Sequence, residues 1–132
     1  MTRAAACRCG QARIVCEGEP TRVSVCHCLN CQQRSGSAFA AQARFLRDQV
    51  TIQGSLTMFT WIGESGKPGM FHFCPTCGST LWYETEAEPE LIGVPIGIFA
   101  DPQAFGPPLY SVYEERKVDW VAIISPSTEH YD

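Results

Sequence analysis

The sequence predicts a mainly β fold: sheets of short strands, with clustered cysteines able to crosslink distant segments. Three observations carry this expectation. The apolar segments are short, rich in β-branched and aromatic residues, and separated by Gly or Pro. No stretch holds a long helical period. Eight cysteines fall in clusters, at positions 7, 9, 16, 26, 28, 31, 74 and 77. With 132 residues the expectation is one domain over 1–132, with a core at about 5–124. Size scaling allows about two-thirds of the unfolded surface to be buried, enough for a real core.

Taken in order, residues 12–16 (ARIVC), 23–26 (VSVC), 39–45 (FAAQARF) and 50–53 (VTIQ) read as strands. The same reading applies to 56–62, 70–73, 80–83, 91–99, 110–113 and 118–123. Residues 29–35, after the middle cysteine cluster, suit one short helical turn. The run 63–69 (GESGKPG) is a flexible connection between strands. Residues 100–109, with three prolines, form a loop, and 125–132 form a frayed tail.

Composition excludes several function classes. The net charge of −4 argues against gripping a nucleic-acid backbone. No apolar run approaches the roughly 18 residues needed to span a bilayer, so no membrane partner is expected. Met1–Cys7 has no apolar export core, which points to a cytoplasmic protein. There is no phosphate loop, dinucleotide fingerprint or Gly-x-Ser-x-Gly elbow.

The cysteines carry the chemistry. Random scattering gives about 0.5 pairs at any one short spacing, whereas this chain has two at i,i+2 and two at i,i+3. Metal binding fits this better than redox thiols or structural disulfides, which need an oxidising compartment. A structural zinc wants four tetrahedral ligands. Cys74-Pro-Thr-Cys77-Gly78 is a knuckle-like half, and Cys7 with Cys9 can supply the other two thiolates. Cys26, Cys28 and Cys31 remain as a set of three, leaving a fourth position for water or substrate, as at a catalytic zinc. Three thiolates weaken the Lewis acidity of zinc. Such a site suits holding a substrate thiol as thiolate better than generating hydroxide.

Each remaining feature has a plainer alternative. Cys16 could complete the second site or be a small buried hydrophobe. His27, between Cys26 and Cys28, could be a ligand, but an extended segment turns it away from them. Arg34 could hold a substrate carboxylate or be a solvated surface arginine. Ser35-Gly36-Ser37 could offer amides to an anion or simply turn. His72 reads as a strand residue. Trp61, Trp82 and Trp120 read as core or pocket walls, and Glu114–Lys117 as a solvated turn.

Three motifs in order are Cys7-Arg-Cys9-Gly10, Cys26-His-Cys28-x-x-Cys31-Gln32 with Ser35-Gly36, and Phe73-Cys74-x-x-Cys77-Gly78-Ser79. Together they resemble the glutathione-dependent formaldehyde-activating enzyme family, which includes the CENP-V-type proteins. The resemblance covers about Cys7 to Trp120. It implies a β-tent fold, mostly antiparallel sheets pinned by zinc, with two zinc ions per chain: a structural one on Cys7, Cys9, Cys74 and Cys77, and a catalytic one on Cys26, Cys28 and Cys31. It also implies a carbon–sulfur lyase activity, run in reverse as condensation of glutathione with formaldehyde to S-hydroxymethylglutathione. The implied partner is a small thiol such as glutathione. The second reading is a zinc-stabilised binding module without catalysis.

Overall fold

The computed structural model describes residues 1–63 and 65–132. Position 64, inside the predicted 63–69 connection, lies outside the described residues. The chain is mainly β, in two sheets, the small one antiparallel and the large one of mixed pairing. The strands are β1 (Thr2–Ala6), β2 (Arg13–Glu17), β3 (Arg22–Cys26), β4 (Ala40–Leu46), β5 (Val50–Gln53) and β6 (Thr57–Ile62), then β7 (Pro68–Phe73), β8 (Thr80–Thr85), β9 (Leu91–Pro95), β10 (Tyr110–Val112) and β11 (Glu129–His130). One short helix, α1 (Leu29–Ser35), follows β3.

The small sheet has the order β1-β2-β5, and the large one β11-β10-β3-β4-β9-β8-β7-β6. Period-2 alternation decides which faces meet. In β2, Ile14 and Cys16 are fully buried while Arg13 and Glu17 are exposed. In β4, Ala43 and Phe45 face the core while Gln42 and Arg44 face the other way. The core between the sheets joins Ala5, Ile14, Phe45, Leu81, Val94 and Phe99. Phe99 meets Phe105 edge-on at 4.7 Å. Removing a ring such as Phe45 from this layer would cost about 3–5 kcal/mol.

The opposite face of the large sheet carries the site. β3 turns Arg22, Ser24 and Cys26 to that side, in register with Arg44, Gln42 and Ala40 of β4. β10 lies parallel beside β3, Val112 level with Cys26. Both strands therefore end together, and α1 and the segment after Val112 meet over one end of the sheet.

The structure corrects four expectations. β1 was not anticipated: Thr-Arg-Ala-Ala-Ala has poor strand propensity and is held by pairing with β2. The segment 91–99 stops as a strand at Pro95 and continues as a 3-10 turn, Ile96–Ile98. The segment 118–123 forms no strand. Val121 is buried singly, its amide bonded to the Val118 carbonyl at 3.1 Å, and Trp120 is 81% exposed rather than a wall. The end of the chain is not frayed, because β11 pairs with β10. The expected antiparallel pairing holds through the rest of the large sheet, while β10 pairs in parallel with both neighbours.

Candidate functional site

Two cysteine groups assemble, each with its Sγ atoms within 4.8 Å of one another. The first draws Cys7 and Cys9 from the β1–β2 turn and Cys74 and Cys77 from the β7–β8 turn. Both turns fold back through glycines in the left-handed region, Gly10 (φ 84°) and Gly78 (φ 80°), which tolerate it without a side-chain clash. Cys7 and Cys9 sulfurs lie 3.6 Å apart, and Cys9 and Cys74 3.7 Å. A disulfide needs about 2.05 Å. Four thiolates at about 2.3 Å from one tetrahedral zinc would lie about 3.8 Å apart, so the donor set fits that ion.

The surroundings prepare two of these sulfurs, Cys74 and Cys77, as anions. Cys74 Sγ accepts from Gln11 Nε2 at 3.0 Å and from the amides of Thr76 and Cys77 at 3.4 Å each. Burial works to raise the Cys74 thiol, but these hydrogen bonds outweigh it and hold it below its ordinary value. Cys77 is lowered to about 5, chiefly by the Ser79 hydroxyl and then by backbone amides.

The second group is local. Cys26 ends β3, Cys28 caps α1, and Cys31 lies one turn into that helix. Cys28 Sγ accepts the Cys31 amide at 3.3 Å. Hydrogen bonds from Cys26 and Cys31 hold Cys28 well below its ordinary value, and the same contacts, with burial, push Cys26 up. Among the described residues, no fourth His, Cys, Asp or Glu joins this group. The sulfurs fit one metal ion with a position to spare.

The structure resolves the alternatives for the neighbours. Cys16 is fully buried in the core, outside both groups. His27 is fully buried with Nε2 2.9 Å from Ser111 Oγ, away from the sulfurs. Desolvation lowers its pKa, favouring the neutral ring. In the 35–37 turn, Gly36 closes α1 by donating to the Gln32 carbonyl and Ser37 donates to Ser35 Oγ, so those amides serve the turn. His72 is a β7 residue stacked on Trp82 at 3.7 Å. Glu114 is not merely solvated, since it bonds His130 of β11 at 2.6 Å.

Two cavities meet at the three-cysteine group. One, of about 460 Å³, reaches Cys26 and Cys31 and is lined by Arg34, Arg44, Gln42 and Tyr83. The other, of about 350 Å³, reaches Cys28 and is lined by Leu29 and Trp61. They share Asn30, Phe71, Thr85 and Tyr113. Tyr113 holds φ 56°, a left-handed backbone uncommon for a non-glycine residue and found more often at functional sites. Arg44, Gln42 and Tyr83 were not singled out from sequence. They stand on β4 and β8, far from any cysteine motif, and only the sheet register brings them here.

The family model described as glutathione-dependent formaldehyde-activating enzyme matches residues 2–116. A Halomonas elongata protein, provisionally named as a glutathione-dependent formaldehyde-activating enzyme, is 30% identical over 125 residues, covering 90% of this chain and 79% of its own. The crystal structure of a Rhodobacter sphaeroides protein shares the fold, with a TM-score of 0.60 at 24% identity, over 78% of this chain and 94% of that one.

Proposed function

The chain belongs to the glutathione-dependent formaldehyde-activating enzyme family, and we propose that it is a zinc-dependent carbon–sulfur lyase handling a thiol adduct such as S-hydroxymethylglutathione at Cys26, Cys28 and Cys31. The supporting observation is a three-thiol group that opens on two cavities, with no fourth protein donor among the described residues. Cys7, Cys9, Cys74 and Cys77 would hold a second, structural zinc, giving two ions per chain.

Zinc on three thiolates would supply one thing: acidity to a thiol reaching the remaining position. The chain's residues do the rest. The β3 end and the first turn of α1 fix three sulfurs within six residues. His27, tied to Ser111, fixes the backbone between Cys26 and Cys28 as a positioning residue. The adjoining cavities hold thiol and aldehyde together, which raises their effective concentration. In the condensing direction the thiol loses its proton and its sulfur forms a bond to the aldehyde carbon. The carbonyl π pair moves to oxygen, which takes up a proton. The lyase direction is the reverse.

The spontaneous condensation is already feasible, so the test is acceleration. Exchange between glutathione and S-hydroxymethylglutathione, followed by NMR with 13C-formaldehyde, should run faster with the zinc-loaded protein than without it. Cys31→Ser should abolish the gain. No acceleration, together with a fourth protein ligand at the second zinc by X-ray absorption, would replace this proposal with a binding module.

A further inference from the structure

The larger cavity sets two arginines, Arg34 and Arg44, beside the sulfur centre. Arg22 and Arg44 stand directly opposite each other in the β3–β4 register. Like charges so placed repel. Glu88 hydrogen-bonds only one of them: its oxygens accept from Arg22 at 2.9 and 2.5 Å, and it reaches Arg44 by charge alone. Among the described residues, neither Arg44 nor Arg34 has an ion-pair partner. Their Nε atoms are buried and make no hydrogen bond within the protein, and neither does the buried Oε1 of Gln42 beside them.

Both guanidiniums are nevertheless held in place. Arg44 lies 5.3 Å from the centroid of the Tyr83 ring and Arg34 5.4 Å from the same centroid. Arg34 also lies 5.3 Å from the Phe71 centroid, and Phe71 stacks on Tyr83 at 5.2 Å. The sheet register explains this: Gly93 sits between Arg44 and Tyr83 across β4, β9 and β8. A Cβ on Gly93 would stand 2.5 Å from the Tyr83 ring. Its absence lets the ring lean across the strand. Aromatic faces attract guanidinium planes but leave their N–H edges free.

We infer that Arg34 and Arg44 form an oxyanion subsite that selects thiols carrying a carboxylate, placing that group in the cavity while the sulfur reaches the centre at Cys26, Cys28 and Cys31. The inference rests on the proposed function, since it assumes a thiol at that centre. The chain is acidic overall, so this local excess of positive charge is set against the background. Planar guanidiniums with free edges match the geometry of a carboxylate.

The test is a binding titration on protein loaded with zinc at the structural site and cobalt(II) at the three-cysteine site, whose sulfur-to-metal absorption reports thiol arrival. The ligands are glutathione, glutathione diethyl ester, cysteamine and coenzyme A. Charge-assisted hydrogen bonds predict glutathione binding about ten- to a hundredfold tighter than its diester. Arg44→Gln and Arg34→Gln should each shrink that ratio about tenfold. Equal affinity for acid and ester, or a ratio unchanged in both variants, overturns the subsite while leaving the proposed function standing. Coenzyme A binding as tightly as glutathione overturns the preference for carboxylate over phosphate. If no thiol perturbs the cobalt spectrum, the proposed function itself fails. Should Arg44→Gln not fold, Arg34→Gln and the acid–ester comparison on the unmutated protein decide the matter.

Discussion

Replacing Cys74 with serine should damage this protein far more than replacing Cys31. Cys74 is fully buried and receives three hydrogen bonds, and its group ties the turn of the small sheet to a turn of the large one. The size of the contrast follows from chain separation. Cys9 and Cys74 are 65 positions apart, so an unfolded chain must spend about 3.7 kcal/mol of loop entropy to bring them to one ion. Cys26 to Cys31 needs only about 1.4 kcal/mol by the same relation. An unfolded chain can still bind metal at the short cluster, which cancels most of its stabilising effect. At the four-cysteine site the ion discriminates between folded and unfolded chains. Structural zinc binding is worth about 10–16 kcal/mol, so one ligand in four accounts for about 2.5–4 kcal/mol. That is a large part of a total stability of about 5–15 kcal/mol. At roughly 3 °C per kcal/mol the melting temperature should fall by about 8–12 °C. Cys31→Ser should lose one metal ion and shift melting by less than about 5 °C. Circular dichroism melts paired with metal analysis would read both. Equal losses, or a stable Cys74→Ser protein, would refute the reasoning.

Three other outcomes are expected. Gly93→Ala would press on the Tyr83 ring, so denaturant titration should show a loss of about 1–3 kcal/mol. Ser111→Ala leaves His27 Nε2 without its partner, at a cost of about 1–3 kcal/mol by the same measurement. Deleting 128–132 removes β11, the His130–Glu114 bond and the Tyr131 wall of the larger cavity. It should lower both the melting temperature and thiol affinity, whereas removing a frayed tail would change neither.

The cysteine groups were legible because each cluster is local: short cysteine spacings, and the helix capped by Cys28, depend on neighbouring residues. Most strands were legible because their β-branched and aromatic runs match the burial they receive. β1 was not, since three alanines carry no strand signal and only β2 makes them one. The stretch 118–123 misled in the other direction, because its apolar residues are divided between burial and exposure without any partner strand. Arg44 and Tyr83 were illegible for the same reason as β1: their role exists only across strands. Arg34 could be noticed because it stands three residues from Cys31.

The parallel seating of β10 against β3 also sets the order in which the molecule is assembled. Ser111, which secures His27, lies 84 positions after it. At about 5–20 residues per second, synthesis delivers Ser111 about 4 to 17 s later. In that interval the nascent chain presents Cys26, Cys28 and Cys31 without the walls that Tyr110 and Tyr131 later raise. On the proposed metal binding, this group is complete as a ligand set while the four-cysteine group still waits for Cys77, so the two would fill in chain order.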